Sequence, residues 1–527
     1  MGPQTAIPTL GTSRLRYNCL VLKPKSPAQF VVTAALLLAY GFLITQKINL
    51  HKADLGRHLK NGEIAVKEQL VPPTNYYSYT FPDFPFLNHH WGTGVLFYLI
   101  WAAAGFKGLS VFISLASLAT LLIFLRLSNK YSHLELTALA SLVMVPVLAS
   151  RTEIRPEVVS YLLMAVFFWI LWENKQSLND RPLLLLPLLE LIWVNLHVYF
   201  FLGVALIGLF LFSAICNKDL KRTKALIAIL LATMAVTLIN PAGIKGALYP
   251  LNIFSNYGYR VLENQSVLFL SKVVQYPPSA HFVFSFFFLL MSWLAVFLLD
   301  RRNFLKSYLE LFLLSLLVSF LGWQAVRNFA IFAYFALFIT AFNLKTIKDR
   351  FFYPYTFTLS IFISFALFFL NASYWSAKAE GFGLGLTPNT AQAAQFYLTN
   401  NLKGPIFNNY DNGGYLIFYL FPQEKVFVDN RPEAYPTDFF SSIYIPMQEN
   451  EENWRRQIEQ YNLNTIFFYR WDYTPWAQAF LIKRVSDPDW APVYVDDYSI
   501  IFVKRNQQNQ KVIESFEIPK STFTTSP

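Results

Sequence analysis

The sequence predicts a polytopic α-helical membrane protein with about 11–13 crossings and a small α/β domain at its C-terminal end. Three observations carry that prediction. Of the 527 residues, 54% are hydrophobic and only 14% are charged, where a soluble domain has about 25% charged residues. Apolar runs recur from Phe30 to Leu370, near the roughly 20 residues that span a bilayer. Charge also divides along the chain. Residues 1–379 hold 31 Lys+Arg against 15 Asp+Glu, and residues 380–527 hold 12 against 17. This composition excludes a disordered chain, a disulfide-rich secreted module and a typical cytosolic enzyme. Two cysteines, Cys19 and Cys216, are too few for a disulfide framework or a cysteine-built zinc site. The net charge of +11 sits in loops between apolar runs, where it orients helices rather than marking a nucleic-acid surface.

Residues 1–28 form a basic arm with Arg14, Arg16, Lys23 and Lys25, expected in the cytoplasm. A membrane module follows over 29–379. Its candidate crossings lie near 29–47, 88–104, 107–127, 133–150, 155–173, 182–197, 198–216, 224–240, 281–300, 308–323, 327–343 and 353–372. The first lacks the position and flanks of a cleaved signal, so it reads as a retained anchor. The loops Arg126–Lys130, Lys175–Arg181, Lys218–Lys224, Arg301–Lys306 and Lys345–Arg350 are basic and belong in the cytoplasm. Loops 49–88, 150–156, 195–198, 241–280 and 323–328 then face outward, as does the C-terminal domain. If every candidate crossed, that domain would return to the cytoplasm. Reading 88–104 as interfacial or re-entrant restores the parity.

Charges become frequent beyond Glu380. Alternating patterns over 380–505 predict helix 388–400, strand 405–410, helix 413–421 and strand 425–430. Helices 433–442 and 449–461, strand 465–470, helix 475–485 and a hairpin over 490–505 follow. The polar tail 506–527 is expected to be disordered.

Ionisable residues at helix edges are the most informative in such a chain, because burying them is costly. Most lie on the outward side: His51, His58, His89, His90, His197, His281, Asp54, Arg57, Arg155, Glu157, Asn195, Arg327 and Asn328. Their recurrence at the same ends of different helices suggests one polar cavity. The run Asp54–Glu63 reads as a short helix after the first crossing. Asp54, Arg57 and His58 then share a face, placing a carboxylate able to act as a base beside a cation able to hold a phosphate. The same spacing also fits a solvated interfacial helix with a salt bridge. Arg155-Pro156-Glu157 opens a helix, and Glu190, inside a crossing, is expected to pair within the bundle. In the C-terminal domain, Asn409–Leu416 reads as a strand-to-helix turn suited to an anion or sugar. Asp429 and Arg431 sit at a strand exit, where ligands often bind. His89-His90 could bind a divalent metal with His58 and Asp54, although no ligand spacing there is diagnostic.

On these residues the chain resembles the C-type glycosyltransferase superfamily. Its members are multi-spanning enzymes that use lipid-phosphate-linked sugars, such as protein O-mannosyltransferases and the lipid A aminoarabinose transferase. The stretches Asp54-Leu55-Gly56-Arg57-His58, Val71-Pro72-Pro73, Tyr77-Ser78-Tyr79-Thr80 and Asn88-His89-His90-Trp91 look like a bacterial branch. So do Arg155-Pro156-Glu157, Asn195-Leu196-His197, Arg327-Asn328, Gly413-Gly414-Tyr415-Leu416 and Asp429-Asn430-Arg431. Such enzymes carry a catalytic Asp just after the first helix, the place of Asp54. No Asp-x-Asp pair stands in the first loop, so a metal-dependent mechanism is not implied and no cofactor is expected. Asn88-His89-His90-Trp91 replaces a Pro-rich segment of the aminoarabinose branch, which leaves the substrate class open. The resemblance implies inverting transfer of a sugar from a polyprenyl-phosphate donor to an extracytoplasmic glycan, lipid or protein. Asp54 would be the general base. Arg57, His58, His89, His90, Arg155, Glu157, Asn195, His197, Arg327, Asn328, Asp429 and Arg431 would contact substrate. The expected location is the bacterial inner membrane, with membrane lipid as partner. A transporter or flippase of a lipid-linked or anionic solute, and a non-catalytic envelope protein, are the competing readings.

Overall fold

The computed structural model describes residues 27–52, 54–177, 180–252, 255–274, 276–350 and 372–523. Helix α1 (Pro27–Ile44) leads into a short amphipathic helix, α2 (Leu55–Lys67), and a long one, α3 (Trp91–Tyr131). Helices α4 (Leu134–Leu148), α5 (Glu157–Ser177), α6 (Leu185–Leu196), α7 (Phe201–Cys216) and α8 (Leu220–Val236) follow. After the short α9 (Ile244–Leu248) and α10 (Val267–Val273) come α11 (Pro277–Leu299), α12 (Leu309–Gln324) and α13 (Phe329–Arg350). Among the described residues, seven helical segments are long and apolar enough to cross a membrane. The protein is an integral membrane protein with its largest core between these helices. The expected crossing 353–372 lies outside the described residues but for its last position.

Helix α3 is broken at Gly105, whose φ of +63° lies in the region that favours glycine. Thr93 Oγ1 donates to the Leu196 carbonyl at 2.6 Å, and the Gly385 amide donates to Ser110 Oγ at 3.0 Å. Leu196 and Gly385 belong to the same end of the bundle, so 91–104 starts and finishes there.

The helix ends sort into two groups. At one end, Lys130 pairs with Glu173, His133 with Asp349 and Lys348 with Glu135, which gathers the basic loops. At the other end lie the loops assigned outward, together with the C-terminal domain. Glu190, expected to pair within the bundle, has neither carboxyl oxygen bonded among the described residues. It is fully buried against Gly203 and Phe167, where a side chain on Gly203 would strike Glu190 Oε2.

The C-terminal domain comprises α14 (Ala372–Gly381), α15 (Gln392–Thr399), β1 (Ile406–Asn408), α16 (Gly413–Leu420), α17 (Ile445–Glu449) and α18 (Glu451–Tyr461). Strand β2 (Thr465–Tyr469), α19 (Ala477–Ser486), the hairpin β3 (Trp490–Val495) and β4 (Ser499–Lys504), and α20 (Gln510–Phe516) complete it. The sheet order is β1-β2-β4-β3, with β1 parallel to β2 and the other pairs antiparallel. Phe407, Trp454, Phe468, Phe480 and Trp490 pack together in the core beside it.

Three expectations for this domain are corrected. The strand 425–430 is reduced to a bridge at Val426. The backbone beyond it is satisfied by side chains: Asn408 Oδ1 accepts from the Phe427 amide, and Asn408 Nδ2 donates to the Val428 carbonyl. The helix 433–442 becomes short turns, Pro432–Ala434 and Phe440–Tyr444. The tail expected to be disordered over 506–527 is ordered to Phe523. There Phe516 packs on Phe396, Arg505 pairs with Glu517 and Asn509 Nδ2 donates to Asn464 at 2.9 Å.

The first loop and this domain form one body. Ser78 and Ile406 both bridge to Val426 in parallel fashion, and the Tyr79 hydroxyl donates to the Ile406 carbonyl at 2.9 Å. His51, with no exposure, bonds Asn412 Oδ1 through Nδ1 at 2.8 Å and stacks on Tyr415 with ring centroids 3.9 Å apart. Burial pulls its imidazole down to about 4, against the opposing effects of Asn412 and Asp496. A depressed histidine stabilises the fold most above its unfolded value of about 6.5 and loses that contribution as pH falls towards the folded value. The apparent melting temperature is therefore expected to fall between pH 6.5 and 4.5. In His51→Phe, which keeps the stacking but cannot titrate, the slope should be visibly shallower. An identical slope in the two proteins would contradict the assignment.

Candidate active site

Helix α2 sits between backbones on both sides. A side chain at Gly56 would strike the Gly414 carbonyl of α16, and one at Gly62 would strike the Gly94 carbonyl of α3. This close packing fixes the Asp54–His58 turn. Asp54 stands at the N-cap position, but its side chain makes no cap bond. Its Oδ2 accepts from Arg57 Nη2 at 2.8 Å and from His58 Nε2 at 3.1 Å. Oδ1 is enclosed and has no partner among the described residues. Arg57 Nε donates to Asn430 Oδ1 at 3.2 Å, which ties the turn to the C-terminal domain. Burial alone would raise the Asp54 carboxyl. His58, Arg155 and Arg57 overcome it and hold the group well below the ordinary carboxylate range. Burial, reinforced by Arg57, lowers His58.

A cationic group faces this turn. Arg155 Nη1 lies 2.6 Å from Glu263 Oε2, and Arg151 Nη1 lies 3.0 Å from the same oxygen. Arg151 also pairs with Glu157. Arg327 Nη1 donates to Asn264 Oδ1 at 2.9 Å, with its guanidinium over the Tyr199 ring. Arg155 and Arg327 thus meet on one turn, Leu262–Asn264, of the loop before α10. Burial would raise Glu263, but Arg155, Arg151 and Arg327 outweigh it and keep the carboxylate ionised. From the C-terminal domain, Asp411 lies within electrostatic reach of Arg155 and Glu263, and Glu433 within reach of Arg57.

The predicted histidines form a stack. His89 lies on Tyr249 with centroids 4.3 Å apart and on His90 at 3.8 Å. His90 stacks on His197 at 4.9 Å and meets the His58 ring edge-on at 5.3 Å. His197 Nδ1 is bonded to Ser160 Oγ at 2.8 Å and accepts from the Tyr199 amide at 3.3 Å, so its proton sits on Nε2. His89, His90 and His197 are thus joined by ring contacts to His58, which bonds Asp54.

Other expected contacts are structural. Asn195 clamps helix ends, donating to the Leu191 and Ile239 carbonyls and accepting from Trp91 Nε1. Asn328 accepts from the Tyr199 hydroxyl and donates to the Leu321 carbonyl. Asp429 and Arg431 form a closed, buried pair, with Arg431 Nη2 donating to Asn75 at 2.8 Å. They join the first loop to the C-terminal domain instead of facing a ligand. In the turn 409–416, Asn409 and Asn412 are spent on internal bonds and only Asp411 is exposed. Glu263 and Asn264 were invisible in the sequence, because their partners are more than 60 residues away and no local pattern marks them.

A narrow crevice opens beside Arg151 and Arg155. Its walls are largely apolar, with Tyr40, Ile44, Ile113, Val158, Tyr161 and Ala330 drawn from α1, α3, α5 and α13.

No protein family and no curated protein matches the chain by sequence. Solved structures match by fold. The oligosaccharyltransferase of Archaeoglobus fulgidus in its apo form aligns over 84% of this chain and 70% of its own, at 12% identity and a TM-score of 0.56. The archaeal oligosaccharyltransferase AglB of the same organism, in complex with an inhibitory peptide and a dolichol-phosphate, aligns over 92% and 74%, at 12% identity and a TM-score of 0.59. The chain therefore shares the fold of these archaeal oligosaccharyltransferases.

Glu263 occupies the guanidinium groups that an anion would use. Glu263→Gln removes that competition, and a charged hydrogen bond is worth about 1.5–3 kcal/mol. Titration of the purified variant with inorganic phosphate should show roughly tenfold tighter binding or more than the parent. Unchanged affinity would mean that these arginines are closed to anions.

Proposed function

We propose that the protein is a membrane glycosyltransferase that moves a sugar from a polyprenyl-phosphate donor to an acceptor outside the cytoplasm, with inversion at the anomeric carbon. The observation that carries this reading is the pairing of an unengaged carboxylate oxygen, Asp54 Oδ1, with a guanidinium cluster at the mouth of an apolar crevice. The prenyl chain lies along the bilayer side of the crevice, and the phosphate replaces Glu263 on Arg155 and Asn264 on Arg327. Dolichol-phosphate bound to a protein of this fold supports a lipid-phosphate donor. The basic loops gathered at the opposite end support an extracytoplasmic site in a bacterial plasma membrane.

In the reaction the acceptor oxygen forms a bond to the anomeric carbon. The bond from that carbon to the phosphate oxygen breaks, and its electron pair stays on the phosphate. Arg155 and Arg327 stabilise the charge that develops there. The acceptor proton passes to Asp54 Oδ1, while Arg57 and His58 hold Oδ2. A carboxylate depressed by its neighbours is a weak base. It suffices because the acceptor hydroxyl becomes strongly acidic as its bond to carbon forms.

Asp54→Asn keeps the shape and part of the hydrogen bonding but not the proton acceptance. Its turnover with a polyprenyl-phosphate sugar is expected to fall about 10²–10⁴-fold, with an unchanged melting profile. Arg155→Lys should weaken donor use, because the planar fork is lost. Parental turnover by Asp54→Asn would overturn the assignment.

A further inference from the structure

The end of the bundle opposite the active site carries a second polar cluster. Helix α5 begins beside the site at Glu157, and its 19 residues to Lys175 rise about 28 Å. Lys175 pairs there with Glu310 in the first turn of α12. Glu310 is buried and also accepts from Ser213 Oγ, near the end of α7, at 2.8 Å. That carboxylate is fully engaged.

Arg222, in the first turn of α8, is different. It is only 8% exposed, and its guanidinium lies over the Phe210 ring at 5.6 Å. Its Nε and Nη2 have no partner among the described residues. The carboxylates within its electrostatic reach are Asp219 and Asp180. Asp219 Oδ1 accepts from the Arg222 backbone amide at 3.1 Å, and Asp180 Oδ1 accepts from Asn174 at 3.1 Å. Unsatisfied donors on a buried cation cost several kcal/mol where no water can reach them, so the site is incomplete without an acceptor.

We propose that Arg222 binds a phosphate group, and that its source is the headgroup of an anionic phospholipid in the leaflet at this end of the bundle. Guanidinium donors match phosphate oxygens in number and geometry, and basic pockets between membrane helices recognise such headgroups. The surroundings fit a lipid better than a free ion. Exposed Arg181, Lys218, Lys221 and Lys224 rim the site, and Leu184 and Leu220, 70% and 73% exposed, stand ready to meet acyl chains. This proposal does not depend on the glycosyltransferase reading.

The test uses the full chain in nanodiscs of phosphatidylcholine with and without phosphatidylglycerol, followed by native mass spectrometry of the protein released into detergent. The parent should retain one phosphatidylglycerol and no matching phosphatidylcholine. Arg222→Gln should retain it at least tenfold less, Arg222→Lys should keep part of the retention, and Lys221→Gln on the exposed rim should match the parent. Inorganic phosphate added during release distinguishes the sources. Loss of bound lipid to phosphate shows an exchangeable phosphate site, and resistance shows that headgroup and chains bind together. Equal retention of the two lipids by the parent would overturn the proposal, whatever the variants do. So would undiminished phosphatidylglycerol retention by a folded Arg222→Gln.

Discussion

The site depends on one constraint, the contact of the α2 backbone with backbone on either side. Gly56 and Gly62 leave no room for a side chain against Gly414 and Gly94. The helix is thereby wedged between the first half of α3 and the C-terminal domain. That position turns Asp54, Arg57 and His58 into the gap between the two bodies and lets Asn430 reach Arg57. Asp429–Arg431 and His51 reinforce the same junction from behind. The C-terminal domain is thus part of the wall of the site.

Charge arrangement explains how such a site can persist without ligand. Arg151, Arg155 and Arg327 stand together near the membrane edge, where unpaired guanidinium groups are costly. Glu157, Glu263 and Asn264 pair with them, leaving each Nε without a partner among the described residues. Two of these three belong to a loop turn that a phosphate can replace oxygen for oxygen. This arrangement is therefore a template for a bound phosphate. Asp54 remains ionised through the same cations, so its readiness as an acceptor of protons is linked to the group that would hold the leaving phosphate.

Much of this was legible in the sequence wherever the signal was local. Apolar runs marked the helices, because spanning length is a property of consecutive residues. The spacing of Asp54, Arg57 and His58 placed them on one face, because helical period is local too. Loop charge argued that 88–104 is set apart from the helix after it, and a break in the helix stands at Gly105. What escaped depended on distant partners. Glu263 looks like any loop carboxylate until Arg155 is placed beside it. Asp429 and Arg431 look like an open strand exit until Asn75 and the first loop close over them. Glu190 was expected to find a partner and is packed against Gly203 instead. The polar tail looked disordered because its order comes from Phe396 and Asn464, far back in the chain. The histidine stack was anticipated as a shared surface, but its ring-on-ring order required the fold.

The central claim is that a lipid-linked phosphate takes the place of Glu263 on Arg155 and of Asn264 on Arg327, within reach of Asp54. A structure of the full chain in nanodiscs with a bound polyprenyl-phosphate tests it most directly. The account predicts phosphate oxygens about 3 Å from the Arg155 guanidinium, Glu263 moved away, and the prenyl chain along the crevice bounded by Tyr40, Ile113 and Tyr161. A phosphate bound elsewhere, with the Arg155–Glu263 pair intact, would contradict it.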